Sequence, residues 1–88
     1  MLPLEYLEII RSLPDLVYGG VSEPHHLSAI GQGRNRKREL FEHYSAVPLS
    51  NKLHIELHTI GLKRFNEKYQ IDLWREAHRL LVFYGIKR

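Results

Sequence analysis

"HYSAVPLSNKLHIELHTIG", residues 43–61, changes its period part-way along. As far as Leu49 it alternates and reads as a β-strand, which Pro48 either ends or confines to a sheet edge. From Ser50 the period is helical. Ser50 or Asn51 serves as N-cap, Leu53, Leu57 and Ile60 form an apolar stripe, and Gly61 stops the helix. His54 and His58 stand four apart on this helix, on one face and about one turn from each other. Two imidazoles so placed can reach one metal ion, although an HxxxH pair alone also occurs on ordinary solvated helix faces.

Upstream lies "EPHHLSAIGQGRNRKRE", residues 23–39. "HHLSAI" reads as a first strand, with His26, Ser28 and Ile30 on one face and His25, Leu27 and Ala29 on the other. Adjacent strand residues point to opposite sides, so two neighbouring histidines cannot share one ligand task. One joins the helix pair at a metal; the other acts on something else. Three imidazoles with open positions make a catalytic rather than a closed structural site. A fourth imidazole beside them, with an ordinary pKa near 6.5, is a ready general base. "GQGRNRKRELFEH" is a loop that turns briefly helical at "RELFEH", and Gly31 and Gly33 let it bend without forming a phosphate-binding fingerprint. Arg34, Arg36, Lys37 and Arg38 put four cations in five residues. Alone that is a solvated loop. Joined to such a histidine cluster, it makes a phosphodiester the natural substrate.

Further out, "LPLEYLEIIRSL" reads as an amphipathic helix with Leu4, Leu7 and Ile10 inward and Pro3 in its first turn. "PDLVYGGVSEP" is rich in turn residues. "LKRFNEKYQ" is a short helical segment, and "IDLWREAHRLLVFYG" a last helix burying Leu73, Trp74, Ala77, Leu80, Leu81 and Tyr84. The aromatics Phe65, Tyr69, Trp74, Phe83 and Tyr84 read as core, while His78 and Glu56 read as surface positions. With 88 residues and 43% hydrophobic composition, a single small domain over residues 1–88 is expected. The chain has no cysteine, which excludes disulfides and thiolate metal sites, so any metal must use imidazole or carboxylate. A net charge of +3 is compatible with nucleic acid and decides little. No apolar run nears the roughly 20 residues of a membrane span, and the acidic N-terminus lacks the basic region of a signal peptide. The expected setting is the cytoplasm, with no membrane partner.

The motif "EPHHLSAIGQG…HYSAVPLSNKLHIELH" resembles the HNH endonucleases, the ββα-metal group, in which a β-hairpin and a helix clamp one divalent ion. It is most similar to small phage and prophage HNH proteins, and the "HH" followed by HxxxH also looks like the nuclease domains of DNase colicins. The motif core covers residues 24–58, and "YLEIIRSLP" and "RFNEKY" extend the likeness over residues 6–69. The resemblance implies an α+β fold, a small ββα-metal (His-Me finger) core wrapped by additional helices. It makes His25, His54 and His58 the metal ligands and His26 the general base that activates water. It implies DNA as the partner, contacted by Arg34, Arg36, Lys37 and Arg38, with a second copy or other phage proteins as further company. Three imidazoles favour a transition metal such as zinc, nickel or manganese over magnesium, although the group as a whole uses several ions.

Two departures from that pattern stand out. The family's middle asparagine orients the general base; nine residues before His54 this chain has Ser45, with His43 two residues earlier on the same expected strand face. Ser45, His43 or a backbone carbonyl must then hold His26, and His43 has the longer reach. Relatives also often carry two CxxC pairs around a structural zinc, where this chain has Asp15, Tyr18, Ser50 and Leu53. All four thiols are gone together, so packing by Leu16, Tyr18 and Leu53 is expected to replace that ion. A metal-dependent endonuclease is the first function expected. A non-catalytic module that keeps the metal for stability and binds DNA or a protein is the second. The missing asparagine favours the second; the intact His25–His26 pair argues against it, because a structural site has no use for His26.

Overall fold

In the computed structural model of this chain, residues 1–27 and 41–86 are described. They form helix α1 (Pro3–Arg11), strands β1 (Glu23–His26) and β2 (Ala46–Leu49), and helices α2 (Asn51–Ile60), α3 (Leu62–Tyr69) and α4 (Leu73–Leu80). A 3-10 turn over Phe41–Ser45 leads into β2, and a π-helical turn over Leu81–Ile86 continues α4. The class is α+β: one antiparallel hairpin with four helices around it.

All of β2 is buried, so both of its faces are covered. Val47 and Leu49 point to a cluster made with Leu53 and Leu57 of α2, Phe65 of α3, and Leu73 and Ala77 of α4. Ala46, on the opposite side, packs with Tyr6 and Ile10 of α1 and Leu80 of α4. Strand alternation thus divides the core in two. β1 covers one edge of β2, with Glu23 opposite Leu49, Pro24 opposite Pro48, His25 opposite Val47 and His26 opposite Ala46. The two prolines face each other, where the ladder needs no N–H from either. The Pro48 carbonyl instead accepts from the Leu16 N–H at 3.0 Å.

The elements differ from the sequence reading in ways that matter for the site. β1 starts at Glu23 rather than His25, and residues 28–30 of the expected strand lie outside the described residues. β2 starts at Ala46 rather than His43. His43 and Ser45 belong to the 3-10 turn, where the Ser45 hydroxyl donates to the Glu42 carbonyl at 2.8 Å and favours a turn over a ladder. In α1 the inward residues are Tyr6 and Ile10, four apart, and Leu4 is exposed. In α4 they are Leu73, Ala77 and Leu80, one narrow stripe, so Trp74 stays 45% exposed. Phe83 is 56% exposed as well, while Phe65 is core as expected.

The start of α2 is held by an unforeseen device. Asp15 is buried, and its Oδ1 accepts the N–H groups of Val17 at 2.7 Å and Tyr18 at 2.8 Å. Its Oδ2 accepts the Ser50 N–H at 2.5 Å, and the Ser50 hydroxyl in turn caps α2 by accepting from the Leu53 N–H at 3.3 Å. Burial pushes the Asp15 carboxyl up, but the N–H groups of Tyr18, Ser50 and Val17 outweigh it and hold its pKa below the ordinary value. Asp15, Tyr18, Ser50 and Leu53 are therefore joined by hydrogen bonds to one carboxylate and one hydroxyl. Leu53 is core and Leu16 packs against it, but the Tyr18 side chain is 73% exposed and meets the Tyr69 side chain at the surface, ring edge to ring face. Further along α2, Glu56 is tied to α3 by the Lys68 ammonium and, at 2.5 Å, by the Tyr69 hydroxyl, so it is not simply solvated.

Candidate metal centre

The hairpin and α2 together bring histidines from distant parts of the chain into contact. His25 lies on the β1 face whose cross-strand partner is Val47, and Val47 packs against α2. His54 and His58 are one turn apart on that helix. The His25 ring meets His54 edge-on at a centroid distance of 4.1 Å and His58 at 5.1 Å. The Nε2 atoms of His54 and His58 are 3.1 Å apart. One ligand nitrogen from each of the three lies within 4.8 Å of the others. Nitrogens at 2.0–2.1 Å from one zinc in a tetrahedron sit roughly 3.3 Å apart. The His54–His58 pair, at 3.1 Å, is close to that spacing.

The donor chemistry fits an ion too. His25 is 8% exposed. Burial first, then the neighbouring imidazoles of His54, His58 and His26, lowers its pKa to about 4. At neutral pH it is therefore uncharged, with a nitrogen lone pair available to a metal. Three imidazoles with no carboxylate among the donors suit a borderline transition metal better than magnesium.

His26 turns the other way. Its Nε2 lies 2.8 Å from Nδ1 of His43, with the two rings stacked at 4.8 Å. His43 is buried and reaches His26 from the 3-10 turn, not from a strand. Burial lowers the His26 pKa, as does the charge of His43 and, more weakly, of His54, while Glu42 opposes them. The imidazole that stands beside the three-histidine group is thus biased toward its neutral form and held at one nitrogen.

Of the residues singled out in the sequence, the fold brings His25, His54 and His58 into one group and His26 and His43 into another. Ser45 lies at the end of the same turn as His43, with its hydroxyl donated to the Glu42 carbonyl. Arg34, Arg36, Lys37 and Arg38 fall outside the described residues. Sequence reasoning missed Glu23, whose Oε2 is 3.5 Å from Nδ1 of His54. The signal was present: Glu23 precedes His25 by two, and residues two apart in a strand share a face. Among the described residues no helix is long and apolar enough to cross a membrane. Comparison with protein-family models, with curated proteins and with solved structures finds no match.

Proposed function

We propose that this protein is a metal-dependent endonuclease of the HNH type that hydrolyses DNA phosphodiester bonds. The observation that carries the reading is the division of labour between adjacent residues: His25 joins His54 and His58, while His26 faces away and is held by His43. A purely structural metal site has no need of the second arrangement. His25, His54 and His58 would hold one divalent ion, which when bound supplies Lewis-acid stabilisation of the charge that builds on the phosphate and on the departing 3′ oxygen.

The general base must keep one nitrogen unprotonated. The contact between Nε2 of His26 and Nδ1 of His43 serves that need in the tautomer in which His26 is the donor, which leaves its lone pair on Nδ1. That nitrogen takes a proton from water as the water oxygen bonds to phosphorus and the bond from phosphorus to the 3′ oxygen breaks. The proton stays on the His26 imidazolium, which His43 stabilises through the shared hydrogen bond, and the 3′ oxygen is protonated from solvent. The products are a 5′ phosphate and a 3′ hydroxyl. Arg34, Arg36, Lys37 and Arg38 would contact the DNA backbone and make affinity fall with salt.

The deciding experiment is nicking of supercoiled plasmid by the purified protein with added manganese, nickel, zinc or magnesium. Cleavage that EDTA stops and His26→Ala removes is the expected result. Metal binding with no cleavage under any ion overturns the enzyme and leaves a metal-stabilised binding module.

A further inference from the structure

We infer that Glu23 is a positioning residue for the metal centre, fixing the tautomer and aim of His54; the inference rests on the metal site proposed above. Glu23 and His25 are two apart on β1 and therefore share the face turned toward α2. Pairing of Glu23 with Leu49, a core residue, fixes that end of the strand. From there its Oε2 stands 3.5 Å from Nδ1 of His54, while Nε2 of the same ring is 3.1 Å from Nε2 of His58. The two ring nitrogens diverge, so a carboxylate at Nδ1 aims Nε2 into the histidine cluster. It also selects the tautomer with the proton on Nδ1, which leaves the lone pair on Nε2 for the ion, and it makes that lone pair a stronger donor.

The contact has little to do as a stabilising pair in its own right. Both side chains are partly open to solvent, where such pairs contribute little to folding. Its effect belongs to the ligand. His25 is buried on β1 and His58 is exposed on α2, whereas His54 has a carboxylate beside its Nδ1; the strand thus contributes one ligand and the orienting group of another.

The test uses the full chain and cobalt(II) as probe, following the visible absorption of the bound ion and its dissociation constant. Glu23→Ala is expected to weaken cobalt binding about 10–100-fold, with the unfolding midpoint of the metal-free protein unchanged. Glu23→Gln should recover part of the loss, because its amide oxygen can stand in the same place beside Nδ1 without the charge. In long-range proton–nitrogen spectra of the metal-free protein, His54 should favour the Nδ1–H tautomer in wild type and lose that preference in Glu23→Ala. Wild-type affinity in Glu23→Ala overturns the inference while leaving the metal site standing. So does a loss of affinity matched by a loss of metal-free stability, which would make Glu23 merely structural. No cobalt binding by wild type overturns the metal site and this inference together.

Discussion

His25 and His26 are neighbours in the chain with different partners in space, and substitutions should separate them. His25→Ala removes a ligand from the group formed with His54 and His58, so metal affinity should fall sharply. His26→Ala should leave metal affinity near wild type and lower cleavage by about 100-fold or more, the usual worth of a positioned base. His43→Ala frees Nε2 of His26 and should also slow cleavage, whereas Ser45→Ala should act mainly on the turn, since its hydroxyl is donated to the Glu42 carbonyl. Equal cleavage by His43→Ala and wild type would return the orienting role to a backbone carbonyl. The pH dependence follows from His25 as well. Its pKa is about 4 in the fold against an ordinary 6.5, so folding favours the neutral ring. Metal-free stability should be complete above pH 6.5 and fall as the pH drops toward 4, by up to about 3 kcal/mol. Asp15, with its pKa lowered below 3.8, adds a further loss only below that value. Urea midpoints measured from pH 8 to 3 should show both steps, and His25→Leu should reduce the first, leaving the part that belongs to His26. A flat wild-type profile between pH 6.5 and 4 would count against a buried neutral His25.

The joint between the 15–20 turn and the start of α2 tests whether hydrogen bonds have replaced an ion. Asp15 uses both oxygens, one on Val17 and Tyr18 and the other on Ser50. Asp15→Asn keeps a single acceptor oxygen and turns an N–H donor toward another N–H donor, leaving a buried amide unsatisfied. It should cost about 1–3 kcal/mol in denaturant unfolding, and Asp15→Ala at least as much. Ser50→Ala removes the cap on Leu53 while keeping the backbone N–H, so about 1 kcal/mol is expected. An Asp15→Asn protein as stable as wild type would show that packing of Leu16 and Leu53 alone holds this joint.

For the molecule as a whole, the proposed metal site would link an ion to the fold through β1 and α2. The three imidazoles come from β1 and α2, elements before and after β2 in the sequence, and only the folded chain brings them together. An ion that binds only the native state at about 100 times its dissociation constant adds about 2.7 kcal/mol. For a domain of this size that corresponds to a rise of roughly 10 °C or more in the melting midpoint. Melts with zinc and with EDTA should differ by that amount, with one ion per chain, and the difference should vanish in His54→Ala and His58→Ala. Coincident wild-type melts would mean that the cluster holds no ion under those conditions.

What could be read directly from the chain was local and periodic. The span of α2, its Ser50 cap, its Gly61 stop and the one-turn spacing of His54 and His58 all follow from side chains within a few residues of each other. The opposed directions of His25 and His26 follow from the period of a strand in the same way. Contacts that span long stretches of sequence were not legible. A 3-10 turn, not a strand, carries His43 to His26, because the Ser45 hydroxyl closes on a carbonyl three residues back while the ring crosses 17 residues of sequence. Asp15 reaches Ser50 across 35 residues, and Glu23 finds His54 only once the hairpin has packed on α2. Trp74 and Phe83 show the same limit from the other side. Their hydrophobicity argued for burial, but the Leu73, Ala77 and Leu80 stripe already fills the contact with β2, and a helix has only one face to give it. Periodicity fixes which way a side chain points along its own element; what stands opposite it is set by how the elements pack.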